Sequence, residues 1–263
     1  STGGGCLAPI YTNSVLTTVV ADPTLTTPAA NAVCIGGSSV TATSTVSGGT
    51  GTFSYQWQYS SNGTSGWANV ATGTPTGITY TNPTTATVTI AGGGTEIAQI
   101  AYYRCVLSTA TPAGAGCDAI SGNYVHTINP DPVAQTVNST IANGSTVCIG
   151  AVGSATFSGG SGGAGTITDT YEKADVTSNT WVAYTAGTAT TFNTAGAIFG
   201  FRTRRSATGS GCATTANNTV SFIVVADPTV STQPVAGTIC SGGTRTLTAV
   251  TSNGTGTITY QWE

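Results

Sequence analysis

Phe53-Ser54-Tyr55-Gln56-Trp57-Gln58 and Tyr102-Tyr103-Arg104-Cys105-Val106-Leu107 decide how this chain is read. Both are short runs of aromatic or β-branched residues with no 3.6-residue stripe, which marks them as strands. The first recurs. Ile167-Thr168-Asp169-Thr170-Tyr171-Glu172 and Ile258-Thr259-Tyr260-Gln261-Trp262-Glu263 align with it. Each copy follows a cysteine–glycine turn at a matching offset: Cys34-Ile35-Gly36, Cys148-Ile149-Gly150 and Cys240-Ser241-Gly242. Each turn in turn follows an Asp-Pro step, at Asp22-Pro23, Asp131-Pro132 and Asp227-Pro228. Trp67 and Trp181 stand ten residues beyond the first two aromatic strands, and a second cysteine preceded by glycine recurs as Cys6, Cys117 and Cys212. Five landmarks in one order are an internal repeat, and a period near 100 residues makes the unit a whole domain.

The repeat divides the 263 residues. Residues 1–21 read as the end of a preceding domain, 22–130 and 131–226 as two complete domains, and 227–263 as the beginning of a following one. Further strand signals, such as Thr85-Ala86-Thr87-Val88-Thr89-Ile90, alternate with threonine on the wet side. Threonine suits that face because it is β-branched yet polar. Seven or so strands in about 100 residues predict an all-β, two-sheet sandwich. Each closing strand runs into Asp-Pro without a Gly/Ser spacer, and proline stiffens both itself and the residue before it. A semi-rigid rod of tandem sandwiches is therefore expected.

Tyr-Gln-Trp on one strand and Tyr-Tyr-Arg-Cys on a later one resemble strands C and F of an immunoglobulin-like domain. Tyr103, two residues before Cys105, lies where that family has its tyrosine corner. The fuller pattern is Cys-x-Gly-Gly, Tyr-Gln-Trp, a second Trp, Tyr-Tyr-Arg and Gly-Cys. It resembles the Ig-like repeats of giant Bacteroidota cell-surface adhesins, the SprB-like gliding-motility adhesins exported by type IX secretion. The resemblance implies a structural or adhesive stalk on the cell surface. Its implied partners are neighbouring repeats of the same chain, surface polysaccharide or substratum, and the export and motility machinery. Alternatives from other classes are spacer or carbohydrate-binding modules of a large secreted enzyme, and a surface-layer or pilus-type subunit.

Residues 131–226 contain only Cys148 and Cys212, so these are expected to pair, and Cys34 with Cys117 by the same register. Cys6 and Cys240 are then left unpaired by truncation. Cys105 stands where an antibody-type domain places a disulfide, but Val40 to Val46 contains no partner cysteine. It is expected as a buried free thiol against Trp57. Disulfides imply an oxidising, extracellular compartment. The expected core is Trp57, Tyr103, Trp67, Tyr171, Trp181 and Phe201. If Trp57 faces Cys105, antiparallel register sets Tyr55 opposite Leu107. The same register predicts an ion pair between Asp169 and Arg205 in the second domain. From Trp67 to Arg104 the first domain is also longer than the second from Trp181 to Arg202, so the second is expected to have a shortened D–E region.

The composition excludes much chemistry. Only 6% of residues are charged, six Lys+Arg against nine Asp+Glu, where roughly 25% is ordinary. A net charge of −3 provides no basic stripe for nucleic acid. No apolar run approaches the ~20 residues of a membrane helix. The single histidine, His126, lies mid-strand, and a nucleophile–base site needs a third orienting group beside it. Asp169, Glu172 and Asp175 lie close together but outside any Asp-x-Asp-x-Asp-Gly loop, so calcium is not expected. Neither catalytic residues, nor metal, nor cofactor is expected, and the chain reads as a non-enzyme.

Overall fold

The computed structural model describes residues 12–109, 117–212 and 215–263. Among them the first sandwich begins with β1 (Thr24–Leu25), β2 (Asn31–Cys34), β3 (Val40–Thr43), β4 (Val46–Ser47) and β5 (Phe53–Ser60). It continues with β6 (Ala68–Asn69), β7 (Ile78–Thr81), β8 (Thr87–Gly92), β9 (Gln99–Thr109), β10 (Ala119–Ile120) and β11 (Tyr124–Asn129). One sheet runs β2-β11-β9-β5-β6; facing it are β3-β8-β7 and the β1–β4 pair. The second sandwich holds β12 (Thr136–Ser139), β13 (Thr146–Cys148), β14 (Ala151–Gly153), β15 (Ala155–Ser158) and β16 (Ile167–Asp175). Then come β17 (Thr180–Ala183), β18 (Thr190–Phe192), β19 (Ile198–Ala207) and β20 (Ala216–Val225). Its large sheet, β13-β20-β19-β16-β17, repeats the order of the first, and β12–β15 and β14–β18 face it. Beyond it β21 (Thr229–Thr232) pairs with β22 (Val250–Ser252).

This is the immunoglobulin-like sandwich. Its first strand pairs with one sheet (β1 with β4, β12 with β15), and the chain then crosses to run parallel to the closing strand of the other. β2 lies parallel to β11, and β13 parallel to β20. Among the described residues no strand pairs with β18 where β7 pairs with β8 in the first sandwich, so the described second sandwich has one strand fewer there.

Alternation builds the core. In β9 Ala101, Tyr103, Cys105 and Leu107 are buried, while Tyr102, Arg104 and Val106 between them are only partly so. Trp57 faces Cys105 in register and is fully buried; its indole Nε1 donates to the Thr85 carbonyl at 3.0 Å. Burying a Trp of this size is worth a few kcal/mol, and truncating it to Ala typically costs ~3–5 kcal/mol. The second core is a Phe cluster: Phe201, Phe192 and Phe222 pack with ring centroids 4.9–6.3 Å apart, joined by Tyr184. Tyr171 is half-buried and stacks on Phe157 at 4.4 Å.

Two expected core residues lie elsewhere. Trp67 and Trp181 are partly exposed, each under a guanidinium: Arg104 is 4.3 Å from the Trp67 ring centroid and Arg202 is 4.1 Å from that of Trp181. The reason is period two. Arg104 flanks inward Tyr103 and Cys105, and Arg202 flanks inward Phe201 and Thr203, so whatever stacks on either arginine is on the outer face. Tyr103 also departs from the family corner. Its hydroxyl meets that of Tyr80 at 3.1 Å, and Tyr80 in turn donates to the Thr74 carbonyl at 2.8 Å.

Candidate functional site

The site built from most repeated parts is the junction between the sandwiches. Each sandwich has an entry pole, where Asp-Pro arrives, and an exit pole, where the closing strand leaves. At the entry pole a glycine amide binds the carbonyl just before the aspartate. Gly49 donates to Ala21 at 3.1 Å, Gly163 to Pro130 at 2.8 Å and Gly254 to Ala226 at 2.9 Å. All three glycines have positive φ (73°, 93° and 78°), so a Cβ there is disfavoured by the backbone alone. At Gly49 and Gly254 a Cβ would also meet the proline of the step, Pro23 at 2.9 Å and Pro228 at 3.0 Å. Val133 and Ser161 add a two-way backbone bridge at the second entry pole, at 2.8 and 3.1 Å.

At the exit pole of the first sandwich, β2 ends at Cys34, level with Asn129 on β11. Ile35 donates to the Asn129 carbonyl at 3.0 Å, and the turn continues through Gly36, at φ 78°. The Gly36 amide donates to Glu96 Oε1 at 2.6 Å. Burial pushes the Glu96 pKa up, but the amides of Gly36, Glu96, Gly94 and Gly93 together hold it below the ordinary carboxylate value.

The two poles meet. The Cys34 amide donates to the Ser210 carbonyl at 2.8 Å, and the Ser38 amide to Ser210 Oγ at 2.7 Å. A Cβ on Gly37 would meet the Ser210 carbonyl oxygen at 2.9 Å, so the backbones approach this closely because Gly37 has none. A disulfide joins Cys34 to Cys212 across the junction, with Cα atoms 4.8 Å apart.

This corrects the expected pairing. Cys34–Cys117 and Cys148–Cys212 do not form; Cys117 and Cys148 carry free thiols. β2 is parallel to the closing strand, so Cys34 is carried to the exit pole, whereas Cys117 precedes β10 at the entry pole. From the Leu107 level to the Gln99 level of β9 is on the order of 25 Å at ~3.3 Å per residue. A disulfide needs Cα atoms within about 7 Å. The same separation applies to Cys148, level with Val225, and Cys212 before β20. Cys240 is free and exposed, and Cys6 lies outside the described residues.

The remaining candidates are placed as follows. Cys105 is a buried free thiol, and burial pushes its pKa up to about 11, which leaves it un-ionised and inert near neutrality. Asp169 and Arg205 are register partners joined by two hydrogen bonds of 2.9 and 2.8 Å, at 20% and 13% side-chain exposure. Glu172 is paired with Arg202, and Asp175 Oδ1 accepts from the Thr177 and Ser178 amides at 2.9 and 3.2 Å, so the three acids do not converge. His126 is buried, with Nδ1 3.2 Å from Asn31 Oδ1. Among the described residues no cluster of three His, Cys, Asp or Glu side chains forms a metal site, and no helix is long and apolar enough to cross a membrane. Sequence reading missed Ser210, Gly37 and Gly163 as junction residues. The signal was present in Gly209-Ser210-Gly211-Cys212, which echoes Gly114-Ala115-Gly116-Cys117 and Gly3-Gly4-Gly5-Cys6.

No family model matches this chain, and no curated protein does. Solved structures do. A marsupial T cell receptor is 13% identical at a TM-score of 0.47, over 81% of this chain and 76% of that one. Rst D1-D2 is 12% identical at 0.47, over 78% and 100%. The fibronectin(III)-like modules of Clostridium thermocellum CbhA are 12% identical at 0.29, over 78% and 94%.

Proposed function

We propose that this chain is a segment of a structural and adhesive stalk: Ig-like repeats joined end to end in a long filament on a bacterial cell surface. The finer reading is a gliding-motility or attachment adhesin of the SprB-like kind, exported by type IX secretion in Bacteroidota. The stalk would present surface polysaccharide or substratum contacts and engage the export and motility machinery. The observation that carries the stalk reading is the junction itself. One covalent linker between two bodies leaves all three rotations open. Here Cys34–Cys212 adds a second covalent link, and the backbone bonds from Cys34 to Ser210 and from Gly163 to Pro130 restrict the rotation left about the line joining the links. A segment whose junction is stiffened at this covalent cost transmits tension and holds its ends apart. A disulfide also suits an extracellular setting.

The test is single-particle electron microscopy of the oxidised and the reduced chain. A narrow distribution of angles between the sandwiches, widening on reduction, is the expected result. A broad distribution in the oxidised chain refutes the stalk reading.

A further inference from the structure

The junction disulfide uses two of the four repeat cysteines in the two complete sandwiches, Cys34, Cys117, Cys148 and Cys212. Cys34 and Cys212 come from two different landmarks, the cysteine–glycine turn of one sandwich and the Gly-x-Gly-Cys of the next. Each sandwich therefore owns one cysteine of each kind, at opposite poles. In the first sandwich Cys34 is bonded and Cys117 is free; in the second Cys212 is bonded and Cys148 is free.

Cys148 is built as Cys34 is. It ends β13, parallel to the closing strand and level with Val225, as Cys34 ends β2 level with Asn129. Ile149 donates to the Val225 carbonyl at 3.0 Å, as Ile35 does to Asn129 at 3.0 Å. Gly150 turns the chain at φ 81°, as Gly36 does at 78°. Cys148 is half-buried, and the chain leaves the same pole through Ala226-Asp227-Pro228, where Gly254 repeats the entry-pole bond of Gly163. The occupied junction thus shows what the matching free thiol is positioned to receive.

We propose that Cys148 and Cys117 are the two halves of further interdomain disulfides. Cys148 is the acceptor for the cysteine that matches Cys212 in the repeat that follows, and Cys117 is the corresponding cysteine offered to the cysteine–glycine turn of the repeat that precedes. Every junction of such an array carries one staple, and no disulfide lies within a sandwich. The inference rests on the stalk reading only in taking the repeats to be joined end to end. The chemistry is thiol–disulfide exchange with a small disulfide oxidant. One cysteine thiolate attacks the oxidant's disulfide, and the second then displaces the mixed disulfide. The new S–S bond forms, the oxidant leaves as two thiols carrying the two electrons, and the thiol protons end on those products or in solvent.

Two positions differ. Ser38, whose backbone amide binds Ser210 Oγ, is matched by Val152, which also has a backbone amide. Where the first turn has Gly37, the second has Ala151. A Cβ at Gly37 would stand 2.9 Å from the Ser210 carbonyl oxygen, so the loop that meets Ala151 must sit a few tenths of an ångström further out. The observed Cα separation of 4.8 Å lies towards the short end of the range of about 4.4–6.8 Å that disulfides span, so the shift is accommodated.

The test is a non-reducing peptide map by mass spectrometry, after oxidation with oxidised glutathione. The chain as it stands should give the Cys34–Cys212 cross-link and a free Cys148 thiol. A chain with residues 131–226 duplicated after Ala226 should add one further cross-link, between Cys148 and the Cys212 of the duplicate. The Cys34–Cys212 link serves as the internal control for folding. A link between Cys148 and the Cys212 of its own sandwich in either chain overturns the proposal. So does a Cys148 thiol that stays free in the duplicated chain while the control link forms. Because the two copies share their peptides, C148S is placed in the first copy alone. It should remove the new link and keep the control link. A Cys148–Cys212 link that survives it lies within the second copy and overturns the proposal, as does loss of the control link. The map is independent of the angle distribution. A flexible array with staples at each junction refutes the stalk reading alone, and a rigid array without them refutes this inference alone.

Discussion

Asp169 and Arg205 allow a charge pair to be exchanged for its apolar counterpart within one fold. In the first sandwich the same register positions hold Tyr55 and Leu107. Exposed ion pairs contribute ~0–1 kcal/mol, whereas removing one partner of a buried pair costs ~3–5 kcal/mol. With two well-formed hydrogen bonds and side chains 13% and 20% exposed, this pair lies between those limits. Asp169→Ala, which strands the Arg205 guanidinium, is expected to cost about 2 kcal/mol. At a urea m-value of roughly 1–2 kcal/mol/M the midpoint falls by ~1–2 M. The double variant Asp169→Tyr/Arg205→Leu rebuilds the first sandwich's pair. It should return to within ~1 kcal/mol of the parent, because desolvating a charge pair offsets most of its attraction. The assay is urea unfolding of the parent, both single variants and the double variant, closed as a double-mutant cycle. A double variant that loses as much as the two singles together refutes the reasoning. The pH dependence follows. The Arg205 hydrogen bonds hold the Asp169 carboxyl below its ordinary pKa, against the opposing effect of burial. The contribution is therefore complete above the unfolded value of about 3.9 and is lost as pH falls through the lower folded value. Asp169→Ala should flatten that acid limb.

Thr203 Oγ1 is buried without a hydrogen-bond partner, so Thr203→Val should raise the unfolding midpoint by the equivalent of ~1 kcal/mol; a loss of stability would show that the hydroxyl is used. Thiol titration of the folded chain should leave Cys105 unmodified while exposed Cys240 reacts, and denaturant should release it; fast native labelling of Cys105 would contradict its burial. Burial lowers the His126 pKa, which Glu96 raises only in part, so the unfolded chain takes up that proton first and stability declines as pH falls below about 6.5. Glu96 adds a second decline below about 4.3, and calorimetry of His126→Gln should lose the upper step and keep the lower. A melting temperature that is flat from pH 7 to pH 5 in the parent chain would refute the first step.

Period two and antiparallel pairing are local rules, and what depended on them alone was legible in the residues. Setting Trp57 against Cys105 led by counting to Tyr55 against Leu107, and then to Asp169 against Arg205 in a different sandwich. The same alternation puts Arg104 and Arg202 on the outer face, and Trp67 and Trp181 stack there on them, outside the core. The cysteine partners were of another kind. Repeat order shows that cysteines recur; it does not show at which pole each one lies. That depends on β2 and β13 running parallel to the closing strands, a long-range pairing that carries Cys34 and Cys148 to the exit pole. A disulfide forms only between Cα atoms within about 7 Å, so the far end of the same sandwich is excluded and the near end of the next is selected. The sequence by itself determined a repeated, sparsely charged, threonine-faced sandwich. The tertiary structure alone decided that Cys34 joins Cys212 of the neighbouring sandwich, because that choice is made by distance across a junction.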